Sequence, residues 1–152
     1  MKMAAGDILK EEGLIIEDFT VKANEDIEKG EIVYNDGNGI LAAPNTVTGP
    51  YFMALKDHDY SEETTHKVRC VVSGCVEVQK VSGSGGGKQG QSVMISATAG
   101  EVTLYVDPDA PATYVEADVQ TALNRCLQRL AILLEDAADA DTTAKIYLNM
   151  GR

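Results

Sequence analysis

Apolar and polar residues alternate along much of the chain, and the longest alternating run lies between His66 and Lys80. Val68, Cys70 and Val72 fall on one face of this run, and the residues between them fall on the other. A period of two residues is typical of a half-buried antiparallel strand. A Ser-Gly pair interrupts the run near its middle, which favours a β-bulge at that point.

The order of apolar strands, glycine turns and acidic loops is the same in two parts of the chain. Residues 29–43 and 89–104 each contain a strand after a glycine, a tight turn and a second strand. Residues 52–74 and 130–151 each contain a strand that ends in an acidic pair, a polar loop and a further strand. This order indicates a tandem duplication, with convergence of two unrelated hairpins as the alternative. It predicts a mainly β fold, a compact β-barrel or sandwich built from two tandem β repeats.

The predicted repeats divide the chain into four segments. Residues 1–20 are an N-terminal arm or a first strand, and residues 21–81 are the first β repeat. Residues 82–90 are a glycine-rich linker, and residues 91–152 are the second β repeat with a helical insertion. Neither repeat is large enough to bury a generous core alone. We therefore expect one domain in which both repeats share a core.

A helical spacing of apolar residues interrupts the β pattern in the second repeat. The residues at this spacing are Val119, Ala122, Leu123, Cys126, Leu127 and Leu130. We predict one short helix at residues 117–127 with Asp118 as its N-cap. A strand at residues 129–135 is predicted to follow, because this segment aligns with residues 52–56. The spacing alone also permits a single helix as far as Leu134.

The chain has 152 residues and a net charge of −11. An acidic chain without a cluster of Lys and Arg argues against nucleic acid as a partner. No stretch approaches the length of a membrane span, and the N-terminus lacks the apolar core of a signal peptide, so we expect no membrane partner. Cys70, Cys75 and Cys126 are an odd number without a CxxC spacing, which favours buried thiols over disulfides or zinc.

Three features suggest chemistry, and each departs from the required pattern. The glycine-rich run before Lys88 lacks the leading glycine and the Ser or Thr of a phosphate-binding loop. The acidic run from Asp57 begins like a calcium loop but lacks the required glycine and the final glutamate. His58 and His66 have no cysteine at ligand spacing. We predict no catalytic, cofactor-binding or metal-binding residues, and no enzyme activity.

A series of short motifs runs in order through residues 20–150. These are Val21-Lys22-Ala23, Ile27-Glu28-Lys29-Gly30-Glu31-Ile32-Val33, Ala54-Leu55-Lys56-Asp57, Ser73-Gly74-Cys75-Val76, Gly90-Gln91-Ser92-Val93, Ala99-Gly100-Glu101-Val102-Thr103, Leu133-Leu134-Glu135-Asp136 and Lys145-Ile146-Tyr147-Leu148. In this order the chain resembles the capsid decoration, or head cement, proteins of tailed (bacteriophage-like) viruses. The helix predicted at residues 117–127 departs from the compact pattern of that family.

The resemblance implies a non-enzymatic structural protein that binds the outer surface of a mature viral capsid and stabilises it. Its implied partner is the shell of the major capsid protein. Its implied location is the exterior of the virion, after synthesis in the host cytoplasm. The family resemblance also implies a homo-oligomer, with a trimer favoured.

The N-terminal segment supplies candidate contact residues. Leu14, Ile15, Ile16 and Phe19 are predicted to contact the capsid or a neighbouring subunit if the segment is an arm that adds a strand to a partner. The alternative is an ordinary first strand of the sheet.

Two other functions stay open. A virion fibre base or a carbohydrate-binding adhesin is the first, and an adhesin predicts a groove lined by exposed tyrosines. A small β-barrel enzyme or a carrier domain is the second, and a carrier predicts a modified lysine, for which Lys88 is the candidate.

Overall fold

The structure is a computed structural model that describes residues 3–83 and 85–149. The predicted segments also include residues 1–2, Ser84 and residues 150–152, which lie outside the described residues. The described residues form nine strands and one helix. In chain order these are β1 (Ile15–Thr20), β2 (Ile32–Asn35), β3 (Ile40–Ala42), β4 (Phe52–Ala54), β5 (Lys67–Gln79), β6 (Ser92–Ile95), β7 (Val102–Leu104), α1 (Glu116–Leu127), β8 (Ala131–Leu133) and β9 (Thr143–Leu148). The prediction of a mainly β fold with one short helix is confirmed.

The strands form a curled antiparallel sheet with the shape of a half-barrel. The strand order is β3-β2-β4-β5-β9-β8-β6-β7, and β1 pairs with β5 outside this path. The N-terminal part of β5 pairs with β1 and β4, and its C-terminal part pairs with β9. Ile15 and Ile16 pair with Ser73 and Val71, so the register shifts at Val72, one residue before the Ser-Gly pair at which the bulge was predicted. The long strand β5 therefore joins the two halves of the sheet.

Hydrogen bonds in the first half of the sheet recur at equivalent positions in the second. The strand order also reads the same outward from the β5–β9 pair on both sides. Equivalent N–H donors and carbonyl acceptors are Gly30 to Ala54 and Gly90 to Leu133, Ile27 to His58 and Gly87 to Ala137, Val21 to His66 and Lys80 to Thr142, and Leu55 to Arg69 and Leu134 to Lys145. These matches support a tandem duplication, which we propose as the origin of the sheet.

The glycine-rich segment is held against the loop that precedes β9. The N–H of Gly83 donates to the carbonyl of Asp139 at 2.8 Å, and that of Gly85 donates to the Asp139 carboxylate at 2.5 Å. Residues 87 and 137 exchange two backbone bonds of 2.9 Å. The segment before β6 thus occupies the place that residues 23–30 occupy before β2.

Two clusters of buried apolar residues stabilise the sheet. The larger contains residues of both halves, for example Ile32 and Met53 with Val93 and Ile146. The smaller lies wholly in the first half: Val21, Ile27, Val33, Ile40, Phe52, Ala54, Val68 and Cys70. Each fully buried aliphatic side chain stabilises the folded state by about 1.5–3 kcal/mol relative to an exposed one. Because the larger cluster contains buried side chains of both halves, it stabilises the packing of one half against the other.

The helix and the strand after it lie where the sequence predicts them. Residues 116–127 are helical, against a prediction of 117–127, and β8 lies within the predicted strand at 129–135. The predicted N-cap is wrong, because the extended residue Val115 precedes the first helical turn and makes no side-chain cap. Asp118 lies inside that turn and accepts a hydrogen bond from Thr113 Oγ1 at 2.7 Å.

Candidate interaction surfaces

The predicted contact residues of the N-terminal segment belong to β1 and the residue before it. Leu14 and Ile16 are half-buried against the larger core. Phe19 packs on the smaller core, where its ring stacks on Phe52 with centroids 4.5 Å apart. Ile15 is 52% exposed. The structure therefore brings three of the four side chains into the fold and leaves Ile15 available to a partner.

Residues upstream of β1 lie along the C-terminal part of β5. The N–H of Gly6 donates to the carbonyl of Glu77 at 2.7 Å, and that of Leu9 donates to Cys75 at 2.9 Å. Gly30 lies directly beneath, since a Cβ there would meet Ala5 at 2.6 Å. This segment is consequently fixed to the sheet by backbone bonds and close packing.

The insertion around α1 carries most of the exposed large apolar residues of the described chain. No residue of α1 is buried. We call four of these residues the α1 surface, and they are Tyr114 (88% exposed), Val115 (51%), Leu123 (55%) and Leu127 (53%). Since a monomer rarely exposes a large contiguous apolar patch without a use for it, this surface is a candidate contact.

The large apolar residues Leu123 and Leu127 of α1 are exposed, and a different side of the helix lines a groove. Asp118, Thr121 and Arg125 line a groove of about 560 Å³ between α1 and residues 106–112. The guanidinium of Arg125 also lies 3.2 Å from Met94 Sδ. The sequence reveals the apolar spacing of this helix, but spacing does not show which side the sheet covers.

The three thiols differ in burial. Cys70 and Cys75 are buried in β5, and burial raises the pKa of Cys70 to about 12. Cys126 is exposed on α1. The prediction of buried thiols is wrong for Cys126, because the helix turns this side chain away from the sheet.

Carboxylates of the acidic loop before β5 accept hydrogen bonds from the chain itself. Asp57 accepts a hydrogen bond from the N–H of Lys29 at 2.7 Å. Asp59 accepts from both the N–H and the hydroxyl of Ser61, and these bonds lower the pKa of Asp59. Among residues 3–83 and 85–149, no three His, Cys, Asp or Glu side chains are grouped to hold a metal ion.

A buried histidine closes the same loop. His58 is 1% exposed, and its Nε2 lies 3.2 Å from His66 Nδ1. Its Nδ1 lies 3.2 Å from a carboxylate oxygen of Glu63. The ring of Tyr60 stacks on His66 with centroids 3.7 Å apart. The sequence does not predict the burial of His58, because comparison of the two repeats places a different type of residue, Ala137, at the equivalent position.

Two buried carboxyl groups have raised pKa values. Burial, with smaller contributions from the nearby charges of Glu28 and Glu101, raises the pKa of Glu31 to about 7. Burial also raises the pKa of Glu77, although Thr143 Oγ1 donates a hydrogen bond to it at 2.6 Å. Each shift is explained by packing in the sheet.

Exposed aromatic side chains are not grouped. Of the six tyrosines, Tyr51 is buried, Tyr114 is exposed, and the other four are half-buried.

Lys88, the carrier candidate, forms an ion pair of 2.9 Å with Asp136. The described helix is too short to cross a membrane.

Comparison with solved structures finds a phage protein of similar fold. No family model matches the chain, and no curated protein matches it. A solved structure that matches is the head fiber gp8.5 N base of bacteriophage phi29. The similarity has a TM-score of 0.50 and 15% sequence identity, over 89% of this chain and 95% of that one. At this identity the likeness establishes a shared fold.

Proposed function

We propose that the protein is a non-enzymatic structural component of a tailed-phage virion that binds the outer surface of the mature head and stabilises it. The observation that carries this proposal is the shared fold with the phi29 head fiber base, which extends over nearly the whole of both chains. The ordered motifs of the sequence, which resemble head decoration proteins, support the same class of protein.

The chemistry of the chain fits this function. An acidic surface keeps the protein soluble and limits nonspecific association. Binding to the assembled shell stabilises that shell by mass action, so many weak, equal contacts suffice. We propose that the major capsid protein shell is the partner and that the protein is a homo-oligomer, with a trimer favoured. Ile15 is the residue of β1 that we propose as a contact, since Leu14, Ile16 and Phe19 pack inward.

A fibre base is the second candidate function, and the phi29 similarity favours it directly. A fibre base also binds the head surface, but it carries a projecting part that a decoration protein does not need. The carbohydrate-binding adhesin has less support, because a single tyrosine, Tyr114, is exposed. The two leading candidates thus share attachment to the head and differ in what lies beyond it.

Co-sedimentation with heads tests the proposal. Purified protein is added in increasing amounts to expanded, undecorated heads of the phage that encodes it. We expect saturable binding at a fixed ratio to the major capsid protein and a higher melting temperature of the shell. Absence of binding across salt and pH contradicts the proposal. Negative-stain images of saturated heads then separate the candidates, because projecting fibres support a fibre base and a smooth outer layer supports decoration.

A further inference from the structure

We propose that the α1 surface is the contact through which one copy of this protein binds another. The inference rests on the proposed function in one respect, since a head protein must place many equal copies side by side. The structural features that support this contact, and the experiment that tests it, do not involve phage heads.

The pattern along α1 fits another helix of the same kind. Val119, Leu123 and Cys126 are separated by four and three residues, and Leu127 lies one turn beyond Leu123. Residues at these spacings share one side of a helix and form the seam by which helices pack. At 100° per residue, Asp118 and Arg125 lie on the opposite side, where they line the groove toward residues 106–112.

The negative charge of the chain favours contact between two copies through this face and disfavours contact through their other faces. With a net charge of −11, two copies repel each other over most of their surface. The apolar side of α1 carries one charged residue, Glu116, at its N-terminal end. Two copies that meet along Leu123, Cys126 and Leu127 therefore bring no buried like charges together.

The size of the surface also fits a contact between copies. Complete cover of the α1 surface removes about 500 Å² of accessible area from each copy, since one large aromatic side chain accounts for roughly 150–250 Å². Two copies then bury about 1,000 Å², which is near the lower limit of specific interfaces. One copy alone leaves the surface open, whereas packing of this face against neighbouring copies in a closed oligomer covers it.

The mass of the protein in solution tests this inference. The variant carries Leu123→Glu and Leu127→Glu, which place two charges in the seam. The control carries Thr64→Glu and Thr65→Glu, which add the same two charges at exposed positions of the acidic loop before β5. By sedimentation equilibrium we expect the native chain and the control to be oligomers. We expect the double variant to be monomeric, with self-association weakened at least about 100-fold.

Cys126 provides a second measurement that does not depend on a variant. A short bismaleimide is expected to link two Cys126 thiols in the native protein at dilutions where collisions between monomers give no product. Cys70 and Cys75 are buried and serve as unreactive internal controls. A native chain that is monomeric at all concentrations, or a folded double variant that keeps the oligomer, overturns the inference. Head binding by a protein that is monomeric in this test would leave the proposed function standing and remove only this contact.

Discussion

Asp57 and Asp136 accept the same hydrogen bond in the two halves of the sheet. The Asp57 carboxylate accepts it from the N–H of Lys29 at 2.7 Å, and the Asp136 carboxylate accepts it from the N–H of Gln89 at 2.9 Å. Each bond joins two loops of its half. One loop precedes the first hairpin, β2–β3 or β6–β7, and the other follows β4 or β8. These two equivalent side-chain bonds support the proposed duplication.

Replacement of either aspartate should therefore have the same effect. Asp57→Ala and Asp136→Ala should each lower the free energy of unfolding by a similar amount, because each removes the charged acceptor of an equivalent backbone N–H. The double variant should show the sum within about 0.5 kcal/mol, since the two bonds share no partner. Urea unfolding measures all three values. Lys88→Ala is the control for the exposed ion pair of Asp136 and should lower the free energy of unfolding by less than Asp136→Ala does. Unequal losses at Asp57 and Asp136 would contradict equivalence.

Gly30 and Gly90 occupy equivalent positions with different surroundings. Their φ angles are +86° and +88°, and both donate a backbone bond of 2.8 Å. A Cβ on Gly30 would meet Ala5 and the backbone of Gly6 within 2.8 Å, whereas one on Gly90 meets nothing within 4 Å. Gly90→Ala should cost about 1 kcal/mol for its positive φ alone.

Gly30→Ala should cost at least about 2 kcal/mol more than Gly90→Ala, because backbone must move as well. Thermal unfolding of both variants measures the difference. Limited proteolysis of Gly30→Ala should also show faster cleavage before β1, where the N-terminal segment is displaced. Equal losses for the two variants would mean that this segment does not pack on Gly30.

Phe19 and Ile15 separate a structural role of β1 from a contact role. Phe19→Ala should lower the free energy of unfolding by about 2–3 kcal/mol, because it removes the ring that stacks on Phe52. Ile15→Ser should cost less than about 0.5 kcal/mol, since half of this side chain is already in water. If Ile15 contacts the shell, Ile15→Ser weakens head binding in a co-sedimentation titration while the melting temperature stays unchanged. Native affinity of Ile15→Ser would exclude Ile15 from the contact.

Glu31 should make the protein less stable as the pH rises toward neutrality. Its pKa is about 7 in the folded protein, above the ordinary value of 4.5. Between these values the folded state holds a proton that the unfolded state releases, so the free energy of unfolding falls as pH increases. Glu31→Gln should reduce this fall, leaving the part due to Glu77, and stabilise the protein at pH 8 by about 1–2 kcal/mol, after allowance for partial exposure.

Unfolding measured from pH 5 to pH 8 tests this prediction. Glu17→Gln, at an exposed position of β1, is the control and should keep the native slope. A Glu31→Gln variant with the native slope would show that Glu31 titrates at its ordinary pKa in the folded state.

Alternation and order of motifs were enough to predict much of the fold. The period of two residues identifies β5, and the apolar spacing of the second half identifies α1. The position of Asp118 was misjudged because helix capping depends on the backbone at Val115, which the residue type does not reveal. The α1 surface could not be predicted, because apolar spacing identifies a helix but does not show which of its sides packs on the rest of the protein. In the folded chain the side that contains Arg125 lines the groove, and Leu123 and Leu127 are exposed. His58 likewise looks like a loop residue until the chain folds His66 and Glu63 around it.

The central claim is attachment to the outside of a phage head, and electron cryomicroscopy of the virion tests it most directly. Heads from the phage that encodes this protein are compared with heads from a deletion of its gene. The account predicts density on the outer surface of native heads that fits the curled sheet of two halves, and its loss in the deletion. Identical outer surfaces in the two reconstructions would contradict it.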